Sequence, residues 1–180
     1  WELRPIMRAD IISIGTEILM GELVDTNAPY LAAQLPPMGI ELQRISQTKD
    51  DIGMLVETLQ QAWQRSDLVL TTGGLGPTDD DLTREAIAQL AGESLYVDHQ
   101  SLEHLKEVFN QRGSSMPDAN IKQANLIHSA RTILNAIGTA PGWWMEKDGK
   151  IIVAMPGPPR EMHTMWESEV LPQLHRIVPE

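Results

Sequence analysis

Between Arg8 and Ala91 three short β-rich runs alternate with three helical patterns, and this order restricts the fold more than any other property of the chain. A strand, a helix and a parallel strand have essentially one handedness of crossover. The order βαβαβα therefore predicts a mostly parallel sheet with helices on both faces, a three-layer α/β/α sandwich. Arg8–Ile14 (RADIISI) is the first expected strand and ends at Gly15. Asp25, Thr26 and Asn27 supply caps for a helix to Leu35, with Pro29 tolerated in its first turn and Pro36, Pro37 and Gly39 stopping it. Ile40–Thr48 alternates apolar and polar residues as a second strand does. Asp50 or Asp51 then caps a helix in which Ile52, Leu55, Val56, Leu59 and Trp63 recur at helical spacing. Asp67–Thr71 is the third strand, and Thr78 is the expected cap of a helix running to Ala91 and stopped by Gly92.

The second half is less regular. Asp98–Arg112 reads as an amphipathic helix and Pro117–Ile127 as a shorter one. Gly142–Glu146 and Lys150–Met155 read as a hairpin about Lys147–Asp148–Gly149. A last helix from Pro158 or Pro159 to about His175 is expected to bend or shorten at Pro172. Adjacent strand positions point to opposite faces, so one of Trp143 and Trp144 is expected to be exposed unless a partner covers it. One domain is expected over residues 7–176, with Trp1–Ile6 an extension ahead of Met7 and residues 177–180 a tail.

The net charge of −11 argues against non-specific binding to nucleic acid or an anionic membrane, both of which need clustered Lys and Arg. The absence of cysteine excludes disulfides, thiolate metal sites and a Cys nucleophile, and it fits a reducing cytosol. No apolar run approaches the length of a membrane span and no signal-peptide core opens the chain, so a cytoplasmic location is expected. The five histidines show no metal-binding spacing.

Residues 67–86, DLVLTTGGLGPTDDDLTREA, carry the strongest chemical signal. They read as a strand, a turn containing Gly73, Gly74 and Gly76, and a helix with Asp79, Asp80 and Asp81 in its first turn. Backbone N–H groups at such a turn suit an anion, and three carboxylates repel one unless a cation sits between. The segment therefore asks either for a phosphate with a divalent metal or for no ligand, the aspartates then only complementing the helix dipole. The Rossmann and P-loop patterns both fail here: position 79 is Asp79, and no Gly-Lys-Ser/Thr follows the turn. Gly15–Thr16–Glu17 after the first strand and Met155–Pro156–Gly157–Pro158–Pro159–Arg160 after the last are two more strand-to-loop junctions. If the strands are parallel neighbours, all three loops converge at their carboxyl ends, where open α/β sheets bind ligands. Arg160 is then a candidate for bidentate phosphate contact.

Together these segments resemble a known family. Gly15–Thr16–Glu17–Ile18–Leu19, Asp25–Thr26–Asn27, Thr71–Thr78, Asp80–Asp81–Leu82–Thr83 and Pro156–Met162 are similar, in order and spacing, to the molybdopterin-binding domain family. Lys122–Gln123–Ala124 and Gly138–Gly142 resemble its CinA-type (competence/damage-inducible) N-terminal domains. The resemblance implies a molybdopterin-binding-domain-like fold and a site holding a nucleotide or pterin phosphate with a divalent ion (Mg, Mn or Co). It also implies a homo-oligomer.

For CinA-type domains it implies metal-dependent hydrolysis of the ADP-ribose pyrophosphate to AMP and ribose 5-phosphate. The alternatives it leaves are Mg-ATP-dependent adenylylation of molybdopterin and a binding module without turnover. By position, Gly73, Gly74 and Gly76 line the phosphate site, with Thr72 and Thr78 beside them. Asp80 and Asp81 match the acidic pair that holds the metal, whereas Asp79 falls where the family varies. Gly15, Thr16, Glu17, Asp50, Gly157 and Arg160 are further pocket candidates, and Lys122 is a candidate for phosphate contact. Relatives continue into further regions, including a nicotinamide mononucleotide deamidase domain. The sequence ends at Glu180, so that activity is not expected of it.

Overall fold

The computed structural model describes residues 6–178, so Trp1–Pro5 of the expected extension and Pro179–Glu180 of the tail lie outside the described residues. The first half follows the predicted alternation: β1 (Arg8–Ile14), a short α1 (Thr16–Leu19), α2 (Asn27–Gln34), β2 (Glu41–Thr48), α3 (Ile52–Arg65), β3 (Leu68–Thr72) and α4 (Thr83–Ala91). The second half contains β4 (Tyr96–Val97), α5 (His99–Gln111), a 3-10 segment Asp118–Ala124, β5 (Asn125–Leu126) and β6 (Ala130–Ile133). It closes with β7 (Gly142–Lys147), β8 (Lys150–Met155), α6 (Pro159–Met165), a π-turn Trp166–Val170 and α7 (Leu171–Ile177).

The main sheet runs β2-β1-β3-β8-β7-β6. Its β2, β1, β3 and β8 are parallel; at one edge β7 runs antiparallel to β8, and β6 antiparallel to β7. The expected neighbours β1, β3 and β8 are indeed adjacent, with Ser13 opposite Thr72 and Thr72 opposite Met155. Their carboxyl ends therefore bring the three predicted loops together.

Strand alternation sends side chains to both faces, and both are covered. Ile11, Leu70, Val153 and Trp144 pack with Leu31, Leu35 and Trp166 on one side. Ile12, Val69, Ile152 and Trp143 pack with Leu55, Leu59 and Ile87 on the other. Trp143 and Trp144 do point to opposite faces, but neither is exposed: they are 1% and 2% accessible, because helices cover both faces.

Local expectations are met in part. The helix expected from Thr78 begins only at Thr83, and Asp79, Asp80 and Asp81 belong to the preceding loop. Asp51, not Asp50, caps α3 by accepting from the Met54 N–H at 3.0 Å. Asp25 does cap α2, accepting from Asn27 and Ala28 N–H at 3.1 Å each. Asn27 is instead buried, and its Nδ2 donates to the Gly157 carbonyl at 2.8 Å. The final helix is interrupted ahead of Pro172, which lacks the N–H for the Ser168 carbonyl, and the π-turn absorbs that loss. β4, β5 and β6 escape prediction because they are four residues or shorter.

Candidate functional site

At the carboxyl ends of β1, β3 and β8 the three loops surround a cleft of about 530 Å³, inside the ~300–1,000 Å³ range of small-molecule sites. The glycine turn forms one side. Gly73 and Gly74 have positive φ (100° and 70°), which glycine adopts without strain. The two backbones crossing here leave no room for side chains: a Cβ on Gly73 would lie 2.2 Å from the Ile14 carbonyl oxygen. Gly73 N–H donates to Met155 O at 3.0 Å, tying the turn to β8. The N–H groups of Gly74, Leu75 and Gly76 take no acceptor among the described residues, and these three residues line the cleft. Consecutive unspent amides in a turn are the groups from which anion sites are built.

Four further contacts hold the turn in shape. Thr83 donates from Oγ1 to Gly73 O at 2.8 Å and from N–H to Gly74 O at 3.2 Å. The first amide of α4 is therefore spent inside the loop and not offered to a ligand. Arg84 is 1% accessible and bridges two cleft-lining segments, with Nη1 donating to Leu75 O at 2.8 Å and Nη2 to Pro141 O at 2.9 Å. Burial pushes its guanidinium down to about 10, against the opposing attraction of Glu85 and Asp81.

The acidic loop is organised around Asp81. Its Oδ2 accepts from the Thr78 N–H at 2.9 Å and from Thr78 Oγ1 at 2.6 Å, leaving Oδ1 without a donor among the described residues. Lys122 fastens the loop from behind: Nζ donates to Thr78 O and Asp81 O, both at 2.7 Å, and sits 3.5 Å from Glu85 Oε1. Asp80 lines the cleft, and no hydrogen bond to its carboxylate is found among the described residues. Across the cleft, Asp50 Oδ2 accepts from Thr16 N–H and Oγ1 at 2.9 and 3.1 Å, joining the first loop to the start of α3.

Of the predicted residues, Gly15, Glu17, Asp50, Gly73, Gly74, Gly76, Thr78, Asp80, Asp81 and Gly157 line the cleft. Thr16, Thr72, Lys122 and Arg160 do not. Thr16 supports Asp50, and Thr72 is buried beneath the turn with its hydroxyl unpaired. Lys122 is spent on loop carbonyls, and Arg160 is exposed on the first turn of α6. Sequence reasoning missed Arg84, Asn135, Thr139 and Glu161. Thr139 and Glu161 lay inside segments that already carried the resemblance, so position was their signal; Arg84 had none.

The charge of the lining is one-sided. Glu17, Asp50, Asp80, Asp81 and Glu161 face the cleft, and none of its lining residues is Lys, Arg or His. Among the described residues no three His, Asp or Glu side chains come together closely enough to cage a metal. Magnesium commonly takes one or two carboxylates together with substrate phosphates and water. Asp80 and the free Oδ1 of Asp81 supply hard oxygen donors of that kind, so the residues present fit such an ion.

Residues 10–176 match the family described as "probable molybdopterin binding domain". A CinA-like protein of Thermomicrobium roseum is 51% identical over 93% of this chain and 41% of its own length. A CinA-like protein of Deinococcus radiodurans is 51% identical over 94% and 43%. The chain thus spans about two fifths of the length of these curated relatives. Among solved structures, the protein CinA of unknown function from Thermoplasma acidophilum superposes with a TM-score of 0.87 at 33% identity, over 93% of this chain and 98% of that one. MoaB, a molybdopterin biosynthesis enzyme from Thermus thermophilus, shares the fold with a TM-score of 0.61 at 21% identity, over 96% of each chain.

Proposed function

The chain belongs to the molybdopterin-binding domain family, among its CinA-like members, and from that membership we propose that the cleft binds a nucleotide or pterin phosphate with a divalent cation and hydrolyses a phosphoanhydride. One observation carries the proposal: Gly74, Leu75 and Gly76, whose amides are unspent, line the same cleft as five acidic residues with no cationic residue among them. The amides favour an anion, and the carboxylates repel a bare one. A phosphate arriving with its metal satisfies both.

Asp80 and Asp81 would hold the ion. When bound, it supplies charge neutralisation at the phosphates and a water of lowered pKa. The chain's own residues do the rest. Gly74, Leu75 and Gly76 amides stabilise the equatorial oxygens where negative charge grows, and such preorganised donors contribute ~3–4 kcal/mol each when removed. Lys122 and Thr78 keep the Asp81 carboxylate oriented, and Thr16 does the same for Asp50. ADP-ribose, cleaved to AMP and ribose 5-phosphate, is the substrate this reading favours. This reading also takes the activity to be cytoplasmic, which a sequence without cysteine would suit.

The test is AMP release from ADP-ribose across Mg, Mn and Co, for wild type, Asp80→Ala and Asp81→Ala. At least one variant should lose 100-fold or more, about 2.7 kcal/mol. Full activity in both would remove the carboxylates from the mechanism. A second reading, adenylylation of molybdopterin by Mg-ATP, is favoured by an adjoining cavity of about 450 Å³ that could take a second ring system. Adenylylated product from ATP and molybdopterin, without ADP-ribose turnover, would select it. Binding without either product would leave a non-catalytic module.

A further inference from the structure

Three buried polar atoms beneath the cleft have no partner among the described residues: Ser13 Oγ, Thr72 Oγ1 and Asn27 Oδ1. Their residues are 0%, 1% and 4% accessible, and none of the three lines the cleft, so a ligand held there does not answer for them. Strand alternation puts all three on one face of the sheet. Ile11 on β1 and Leu70 on β3 pack on the α2 side, so Ser13 and Thr72, two residues further along, point the same way. Ser13 and Thr72 are also register partners on adjacent parallel strands. Asn27 begins α2, whose Ala28 and Leu31 belong to the same packed cluster.

The Asn27 amide fixes the chemistry of the group that satisfies them. Its Nδ2 is spent on the Gly157 carbonyl at 2.8 Å, so the orphaned atom is Oδ1, which can only accept. The Ser13 and Thr72 hydroxyls can each donate or accept. Register partners on neighbouring strands stand ~4.8 Å apart, about the span that one water covers with two bonds of ~2.8 Å. A group that donates to an amide oxygen and also serves two hydroxyls is a water molecule, and three protein partners are the usual number for a buried one.

We propose that one water molecule is a fixed part of the fold beneath the glycine turn, hydrogen-bonded to Ser13 Oγ, Thr72 Oγ1 and Asn27 Oδ1, and that it is the common anchor of the three loops that form the cleft. Ser13 lies two residues before Gly15, Thr72 lies directly before Gly73, and Asn27 holds the loop after β8 through Gly157 O. That loop and the glycine turn are already in contact: a Cβ on Gly157 would lie 3.3 Å from Gly73 Cα. The hydration site is independent of what the cleft binds.

The neighbouring residue supplies a control. Thr71 Oγ1 is also buried and unpartnered, but it points to the opposite face, where its register partners are Ile12 and Ala154. No polar side chain stands beside it on either adjacent strand, so a water there has too few partners. Replacing a bare buried hydroxyl by a methyl group of the same shape is neutral or stabilising, whereas removing a bonded one leaves its partner unsatisfied.

Thermal denaturation of Ser13→Ala, Thr72→Val and Thr71→Val therefore reads the site by the sign of the change. Ser13→Ala and Thr72→Val should each lower Tm by at least about 3 °C. The double variant should fall by less than the two losses added, because the same water is lost each time. Thr71→Val should leave Tm unchanged or raise it. A Tm at or above wild type for Thr72→Val overturns the proposal, and so does an equal fall for Thr71→Val, which would show that the loss measures packing alone. A high-resolution crystal structure of the wild type decides the point without substitution. One ordered water within hydrogen-bonding distance of all three atoms supports the proposal. A dry site, or a cation with shorter contacts to more oxygens, overturns it.

Discussion

Arg84 should not be replaceable by lysine. Its two bonds, to Leu75 O at 2.8 Å and Pro141 O at 2.9 Å, use the fixed fork of a guanidinium. Hydrogen bonds from a charged donor contribute ~1.5–3 kcal/mol each, about 3–6 kcal/mol together. Burial works the other way. It lowers the pKa to about 10, well below the ordinary guanidinium range, a penalty on the order of 3 kcal/mol on the charged form. The favourable balance is therefore small and depends on both bonds being made. Lysine keeps the buried charge, desolvates a more strongly hydrated head group and reaches one carbonyl at best. Arg84→Lys should lose about 1.5–3 kcal/mol, and at ~2–4 °C per kcal/mol for a domain of this size its Tm should fall by about 3–12 °C. Arg84→Met, which removes charge and bonds together, should fall by a similar amount. A group with pKa about 10 folded and higher still unfolded is protonated in both states up to about pH 9, so the deficit should be flat across neutral pH. The assay is thermal denaturation by circular dichroism between pH 6 and 9. A wild-type Tm for Arg84→Lys would show that charge, not the fork, holds the two segments.

Other consequences are quicker to check. Lys122→Met releases Thr78 O and Asp81 O, so the apparent metal affinity for turnover should weaken by about tenfold with a stability loss of at least about 1 kcal/mol; unchanged metal dependence would remove Lys122 from the loop's support. Asp79→Ala, at an exposed position outside the cleft lining, should leave ADP-ribose turnover within about twofold, and a loss like that of Asp80→Ala would contradict the assignment. Gly73→Ala should cost at least about 2 kcal/mol, from positive φ and the 2.2 Å approach to Ile14 O, read as a drop in Tm. Desolvation, the bond to Glu167 Oε1 and that carboxylate's charge push the Tyr30 phenol up to about 12. The stability this contributes is complete below pH 10 and lost as pH rises through 12. Absorbance at 295 nm should show one tyrosine ionising late, and Tyr30→Phe should abolish that step.

The layer order was legible because β1, β3 and β8 are short β-rich runs with apolar centres, set among capped, periodic helices, and such runs have few alternatives once the crossover hand is fixed. The loop cluster followed from the same strands. The end of the glycine segment was not legible. Thr78 followed by three aspartates is a good helix start by composition, yet the Thr83 hydroxyl on Gly73 O and the Asp81 carboxylate on Thr78 hold four residues, 79–82, out of α4. These are contacts within the tertiary fold, and cap propensities do not report them. Burial of Arg84 was invisible for a related reason: an arginine beside a polar helix start is ordinarily solvated, and only the meeting of two loops provides the carbonyls that bury it. Trp143 and Trp144 were misjudged through the sheet, because β6 and β7 extend it and helices cover both of its faces.

A cleft with five carboxylates and no cationic side chain should receive its phosphate only together with a metal. Calorimetric titration with ADP-ribose, with EDTA present and then with saturating Mg or Mn, tests it directly. Affinity should rise by about 100-fold or more when the ion is added, and that rise should shrink in Asp80→Ala or Asp81→Ala. Equal affinity with and without metal would contradict it.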